Sequence, residues 1–87
     1  MSILESFVAL DFETTGIEPF SSEIIEVAVV RVQNGQIVDS FQTLVQPRKM
    51  PSVSIQRLTG ITADELRGQP SLEAVMAKLR RFVGASP

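Results

Sequence analysis

Hydrophobic and polar positions split the chain into a front part with the alternation of strands and a back part with the spacing of helices. Phe7-Val8-Ala9-Leu10 is continuously apolar, and with Asp11-Phe12 it predicts a strand over about 7–12, of the kind covered on both faces. Two longer segments, about 23–32 and 36–45, flank Asn34-Gly35, the dipeptide that most favours a type I′ turn, and predict an antiparallel hairpin. Ile17-Glu18-Pro19-Phe20-Ser21-Ser22, rich in turn formers, joins the first strand to it. The three strands make an antiparallel meander, which Pro47 ends.

Helical spacing then takes over. A helix over about 51–58 opens at Met50-Pro51-Ser52, with proline in the first turn where its missing N–H is not needed, and Gly60 stops it. Thr62-Ala63-Asp64-Glu65 matches a capping box, predicting a short helix over about 62–67 before Gly68. In the last helix, about 71–83, Leu72, Val75, Met76, Leu79, Phe82 and Val83 share one stripe. Glu73, Lys78, Arg80 and Arg81 fall outside it, and Gly84 marks its end. No repeat, low-complexity tract or linker interrupts the pattern, so residues 1–87 form one unit.

Eighty-seven residues bury only about 60–65% of their unfolded surface, which makes for marginal stability. An apolar content of 44% with 21% charged residues excludes a disordered chain. The lack of cysteine excludes disulfides and thiolate metal sites and fits a reducing, cytoplasmic setting. No signal peptide is recognisable, and the apolar runs are too short to span a bilayer, so no membrane role is expected.

A net charge of −2 argues against a broad basic face gripping nucleic acid, but the distribution is uneven. Up to Pro47, Glu5, Asp11, Glu13, Glu18, Glu23, Glu26 and Asp39 face a single base, Arg31; Arg48, Lys49, Arg57, Arg67, Lys78, Arg80 and Arg81 crowd the rest. An acidic site beside a basic segment suits a phosphodiester substrate, although a solvated face is the commoner cause of such a run.

The chemistry concentrates at Asp11-Phe12-Glu13-Thr14-Thr15-Gly16. Strand alternation projects Asp11 and Glu13 to one face and sends Phe12 the other way, into a core. Paired carboxylates repel unless a cation lies between them, and hard oxygen ligands suit Mg²⁺ or Mn²⁺; the alternative is two solvated acids at a strand end. Thr14, Thr15 and Gly16 add hydroxyls and a glycine where a backbone can approach a ligand, or simply form a strand-to-loop turn. No Gly-rich phosphate loop, Ser/His nucleophile or His/Cys metal set occurs, which leaves metal-assisted phosphoryl transfer.

That hexapeptide resembles the first motif of the DEDD-type, DnaQ-like 3′-to-5′ exonucleases, a branch of the ribonuclease-H-like α/β fold. Residues 22–28 resemble the family's second strand, 44–47 the end of its third, and 55–62 the segment after it. The resemblance implies an N-terminal half-domain, truncated to a three-stranded antiparallel meander followed by helices. It implies two-metal hydrolysis at the 3′ end of DNA, with Asp11 bridging both ions, Glu13 holding the one that activates water, and Mg²⁺ or Mn²⁺ as cofactor. By the same resemblance Thr14, Thr15 and Gly16 touch the terminal nucleotide. Leu58, Thr59, Gly60 and Ile61 border its base, where the family often has His in place of Thr59; the alternative is a helix-ending turn with Leu58 and Ile61 in the core. Glu26 is expected to hydrogen-bond structurally rather than to ligate metal. Arg48, Lys49 and Arg57 are weaker candidates for phosphate contacts.

The partners implied are single-stranded or 3′-terminal DNA and a polymerase or helicase module. The family's later acids and its His or Tyr base have no counterpart here, since the chain has no His and no Tyr. The isolated chain is therefore expected to be inactive, with an unpaired edge on its first strand that favours self-association. The rival readings are a catalytically silent module binding nucleic acid or protein, and a truncated fragment without activity of its own.

Overall fold

The computed structural model describes residues 6–16 and 22–84. Three strands, β1 (Phe7–Thr14), β2 (Ile24–Gln33) and β3 (Gln36–Leu44), precede three helices, α1 (Val53–Thr59), α2 (Ala63–Leu66) and α3 (Leu72–Val83). The sheet is antiparallel throughout, in the order β1-β2-β3. At the hairpin turn Asn34 and Gly35 take φ of 51° and 76°, the positive pair that a type I′ turn requires.

Burial follows the strand order. β2, flanked on both sides, supplies Ile25, Val27 and Val29, each at most 1% exposed. β1 is not the covered strand that its apolar run predicts. It lies at the sheet edge, with Phe7, Leu10 and Phe12 all 40–45% exposed, so Phe12 does not enter a core. The reason is where the helices pack. Val75 of α3 closes on Val27 and Val45, and Phe82 meets Phe41 edge-on with ring centroids 5.3 Å apart, which places α3 over β2 and β3. Arg31 on β2 lies 4.8 Å from the Phe82 ring centre and donates to the Phe82 carbonyl, while Lys78 covers Phe41 at 4.7 Å. A second core unites Ile25 with Ile61 and Leu66 from the α1–α2 region.

Boundaries shift for local reasons. β1 continues to Thr14 because its ladder runs on through Glu13↔Glu26 and, after a bulge, Thr14↔Ile24. α1 begins later than its proline suggests. Ser52 is the N-cap, its Oγ accepting from the Ile55 N–H, so Pro51 stands outside the helix and is buried. α2 ends at Leu66 because Arg67 is extended (ψ 131°) and Gly68 is left-handed (φ 80°).

The described residues are elongated, 47 × 23 × 23 Å, with a radius of gyration of 14.8 Å. A compact chain of this length has about 12 Å. Among the described residues no helix is long and apolar enough to cross a membrane.

Candidate active site

With the helices on the Val27–Val29 face, alternation along β1 puts Asp11 and Glu13 on the opposite, open face. Both are exposed. Their cross-strand partners differ. Asp11 faces Ala28, whose small side chain leaves a shallow depression of about 290 Å³ bordered by Ala9, Asp11, Ala28, Val30, Ser40 and Gln42. Glu13 faces Glu26, and like charges directly opposite destabilise a sheet. Glu26 is engaged elsewhere, accepting from Gln42 Nε2 at 2.6 Å, the structural hydrogen bond its position suggests. Replacing Glu26 with Gln is expected to raise stability by about 0.2–1 kcal/mol by removing that repulsion. A lower urea midpoint would show instead that the Glu26–Gln42 bond matters more.

Two exposed carboxylates at i and i+2 suit a hard divalent ion, because Mg²⁺ is commonly held by one or two carboxylates and keeps several waters. Among the described residues no set of three or more acidic, His or Cys groups gathers to coordinate a metal. Asp11 and Glu13 therefore fit such an ion as part of a site.

The turn after β1 is knitted to the start of β2. Thr14 Oγ1 donates to the Gly16 carbonyl at 2.9 Å; the Thr15 N–H donates to the Glu23 carbonyl, and the Glu23 N–H to Thr15 Oγ1, each at 2.9 Å. Both threonine hydroxyls thus hold the turn. Gly16 does not take a left-handed φ, and a Cβ there would meet Ser22 Oγ at an ordinary 3.8 Å, so among the described residues neither backbone nor space demands glycine. The loop predicted at 17–22 lies outside the described residues except for Ser22.

At the far end of α1 the predicted quartet separates. Leu58 is 81% exposed, not in the core, while Ile61 is buried at 7% against Ile25 and Leu66. Between them Thr59 Oγ1 donates to the Ile55 carbonyl and accepts from the Ile61 N–H. Gly60 has φ 77°, and its N–H closes onto the Gln56 carbonyl, so here a left-handed residue is required.

Glu23 is the residue that sequence reasoning passed over. Its carboxylate accepts from the backbone N–H groups of Arg48 at 2.9 Å and Lys49 at 3.0 Å, and from Arg48 Nε at 3.5 Å. Partial burial pushes its pKa up, but those two N–H groups and the guanidinium outweigh it and hold the carboxyl below the ordinary 4.5. An acid opening a strand and a basic pair 25 residues on were the only sequence signals, and nothing in the sequence joins them. Arg48 pairs with Glu23 through Nε while its side chain remains exposed, and Arg57 is exposed on α1. A small cleft of about 220 Å³ separates Thr15 and Glu23 from Lys49, Met50, Pro51 and Ser52.

Comparisons with known proteins bear on the family and the fold. The chain is 44% identical over 79 residues to the DNA polymerase III subunit epsilon of Aquifex aeolicus, covering 91% of this chain and 39% of that protein. It is 44% identical over 78 residues to the PolC-type DNA polymerase III of Thermotoga maritima, of which it spans 6%. Among solved structures, the nuclease domain of 3′hExo, a DEDDh family member bound to rAMP, matches with a TM-score of 0.80 and 31% identity. That match covers 92% of this chain and 44% of the other, and it shows a ribonuclease-H-like architecture. The family model RNase_T, described as exonuclease, matches residues 8–86, and the chain belongs to this DnaQ-like exonuclease family.

Proposed function

We propose that this chain carries the first acidic motif of a metal-dependent 3′-to-5′ exonuclease acting on DNA. The observation that carries the reading is the placement of Asp11 and Glu13 side by side on the open face of β1, in a chain of an exonuclease family. The family typically uses divalent metals. When bound, Mg²⁺ or Mn²⁺ supplies activated water and charge neutralisation at the phosphodiester. Asp11 and Glu13 would hold the metal; the Thr14-Thr15-Gly16 turn meets the terminal nucleotide; Leu58, exposed, stacks against its base. The polymerase relatives support DNA as substrate and a replicative polymerase as neighbour, and a cysteine-free chain suits a cytoplasmic setting.

Mn²⁺-induced relaxation of water protons tests the metal site directly. Wild type is expected to enhance relaxation weakly, and Asp11→Ala to lose most of that enhancement. Equal enhancement by both places the ion elsewhere and removes the basis of the reading.

One observation favours a second reading, a nucleic-acid- or protein-binding module without catalysis. The described residues contain no cluster of three metal ligands, and the chain has no His or Tyr to act as general base.

A further inference from the structure

We infer that Glu23 is a positioning residue: its carboxylate clamps the 48–52 segment, and with it α1, against the Thr14-Thr15-Gly16 turn and sets the width of the cleft between them. The clamp stands on hydrogen-bond geometry. Its functional consequence rests on the proposal that a terminal nucleotide is held between the Thr14-Thr15-Gly16 turn and Leu58.

Glu23 is bonded to both walls. Its main chain exchanges two 2.9 Å bonds with Thr15, and its side chain takes the successive N–H groups of Arg48 and Lys49. Hydrogen bonds to an ionised acceptor are roughly twice as strong as neutral ones. From Lys49 the constraint passes along a short, stiff path. Pro51 is buried and its carbonyl accepts from Gln56 Nε2 at 3.0 Å; Ser52 caps α1; and Gln56 Oε1 takes the Ala63 N–H at 3.0 Å, tying α1 to α2. Moving Lys49 therefore moves Leu58.

Among the described residues the charged groups around Glu23 are few. Arg48 and Lys49 come from the segment it clamps, and Glu73 at the start of α3 borders the adjoining cavity with Glu23 and Arg48. The β1 side presents uncharged Thr15. Because the folded carboxyl lies below its ordinary 4.5, its contribution is fully present above that value and is lost as pH falls through the lower, folded value. The clamp thus holds at neutral pH and releases only in acid.

Glu23→Gln removes the charge and turns an NH₂ donor toward two N–H donors, so one bond must break. Backbone amide exchange of the 87-residue chain at neutral pH is the test. In Glu23→Gln, exchange at Arg48 or Lys49, whichever amide loses its acceptor, is expected to rise at least tenfold while Val27 and Val29 stay protected, which shows that the variant remains folded. In wild type, with no mutation, the Arg48 and Lys49 amide shifts are expected to titrate together below pH 4.5. Unchanged exchange in the variant, or no such titration in wild type, overturns the clamp.

Thymidine 5′-monophosphate provides the second arm. Affinity at least fivefold weaker in Glu23→Gln, with Mn²⁺ relaxation unchanged, supports positioning of the cleft. Equal affinity despite faster exchange overturns it. If wild type does not bind the nucleotide, exchange alone decides the clamp, and only the nuclease reading falls.

Discussion

Purified to homogeneity, the 87-residue chain is expected to release no mononucleotides from single-stranded DNA above background, with Mg²⁺ or Mn²⁺ present, and Asp11→Ala to leave that unchanged. Two exposed carboxylates on one strand are the acidic groups the open face offers, since Glu26 is bound to Gln42 and no third ligand joins them among the described residues. A partial site positions an ion loosely, and loose positioning forfeits the orientation that two-metal hydrolysis depends on. With neither His nor Tyr in the chain, general base help worth about 10²–10⁴-fold is also missing. Metal-dependent release of nucleotides that disappears in Asp11→Ala would overturn this expectation. It would mean that a second copy completes the site.

The chain is also expected to associate with itself at micromolar concentration, and Leu10→Lys to return it to monomer. β1 pairs with β2 on one side and with no strand on the other among the described residues, so its outer N–H and C=O groups form an open ladder. Beside that edge, Phe7, Val8 and Leu10 of β1 and Leu79, Arg80 and Val83 of α3 border a mostly apolar groove of about 630 Å³. Exposed apolar patches larger than a few hundred Å² are rare on monomers.

Antiparallel pairing of two β1 edges about Leu10 sets Val8 opposite Phe12, Ala9 opposite Asp11 and Phe7 opposite Glu13. Every pair joins apolar to apolar or apolar to acid, and no two carboxylates face each other. A lysine on the axis places two like charges face to face and blunts the edge. Light scattering across a dilution series reads the result. A wild-type monomer at all concentrations, with a thermal midpoint independent of concentration, would exclude this pairing.

Much of the local structure is written in single residues. Asn34-Gly35 supplies both positive φ values of the hairpin turn, Thr62 and Glu65 satisfy each other's backbone donors at the start of α2, and Gly60 takes the left-handed residue that ends α1. These need only neighbours in the chain, so sequence reading reaches them. Asp11 and Glu13 share a face for the same reason, since the period of two belongs to the strand itself.

Tertiary packing decided what periodicity cannot express. A continuous apolar run such as Phe7-Val8-Ala9-Leu10 has the same appearance in a central strand and at an edge. Only the order β1-β2-β3 and the seating of α3 over β2 and β3 made β2 the core and left Phe12 exposed. Leu58 and Ile61, three residues apart, parted because the left-handed turn at Gly60 sent one into solvent and the other onto Leu66. Glu23 was one acid among several along the chain. Its meeting with the backbone of Arg48 and Lys49 joins residues 25 and 26 positions apart, a contact created by the turn of the sheet into α1 and carried by peptide N–H groups common to almost every residue.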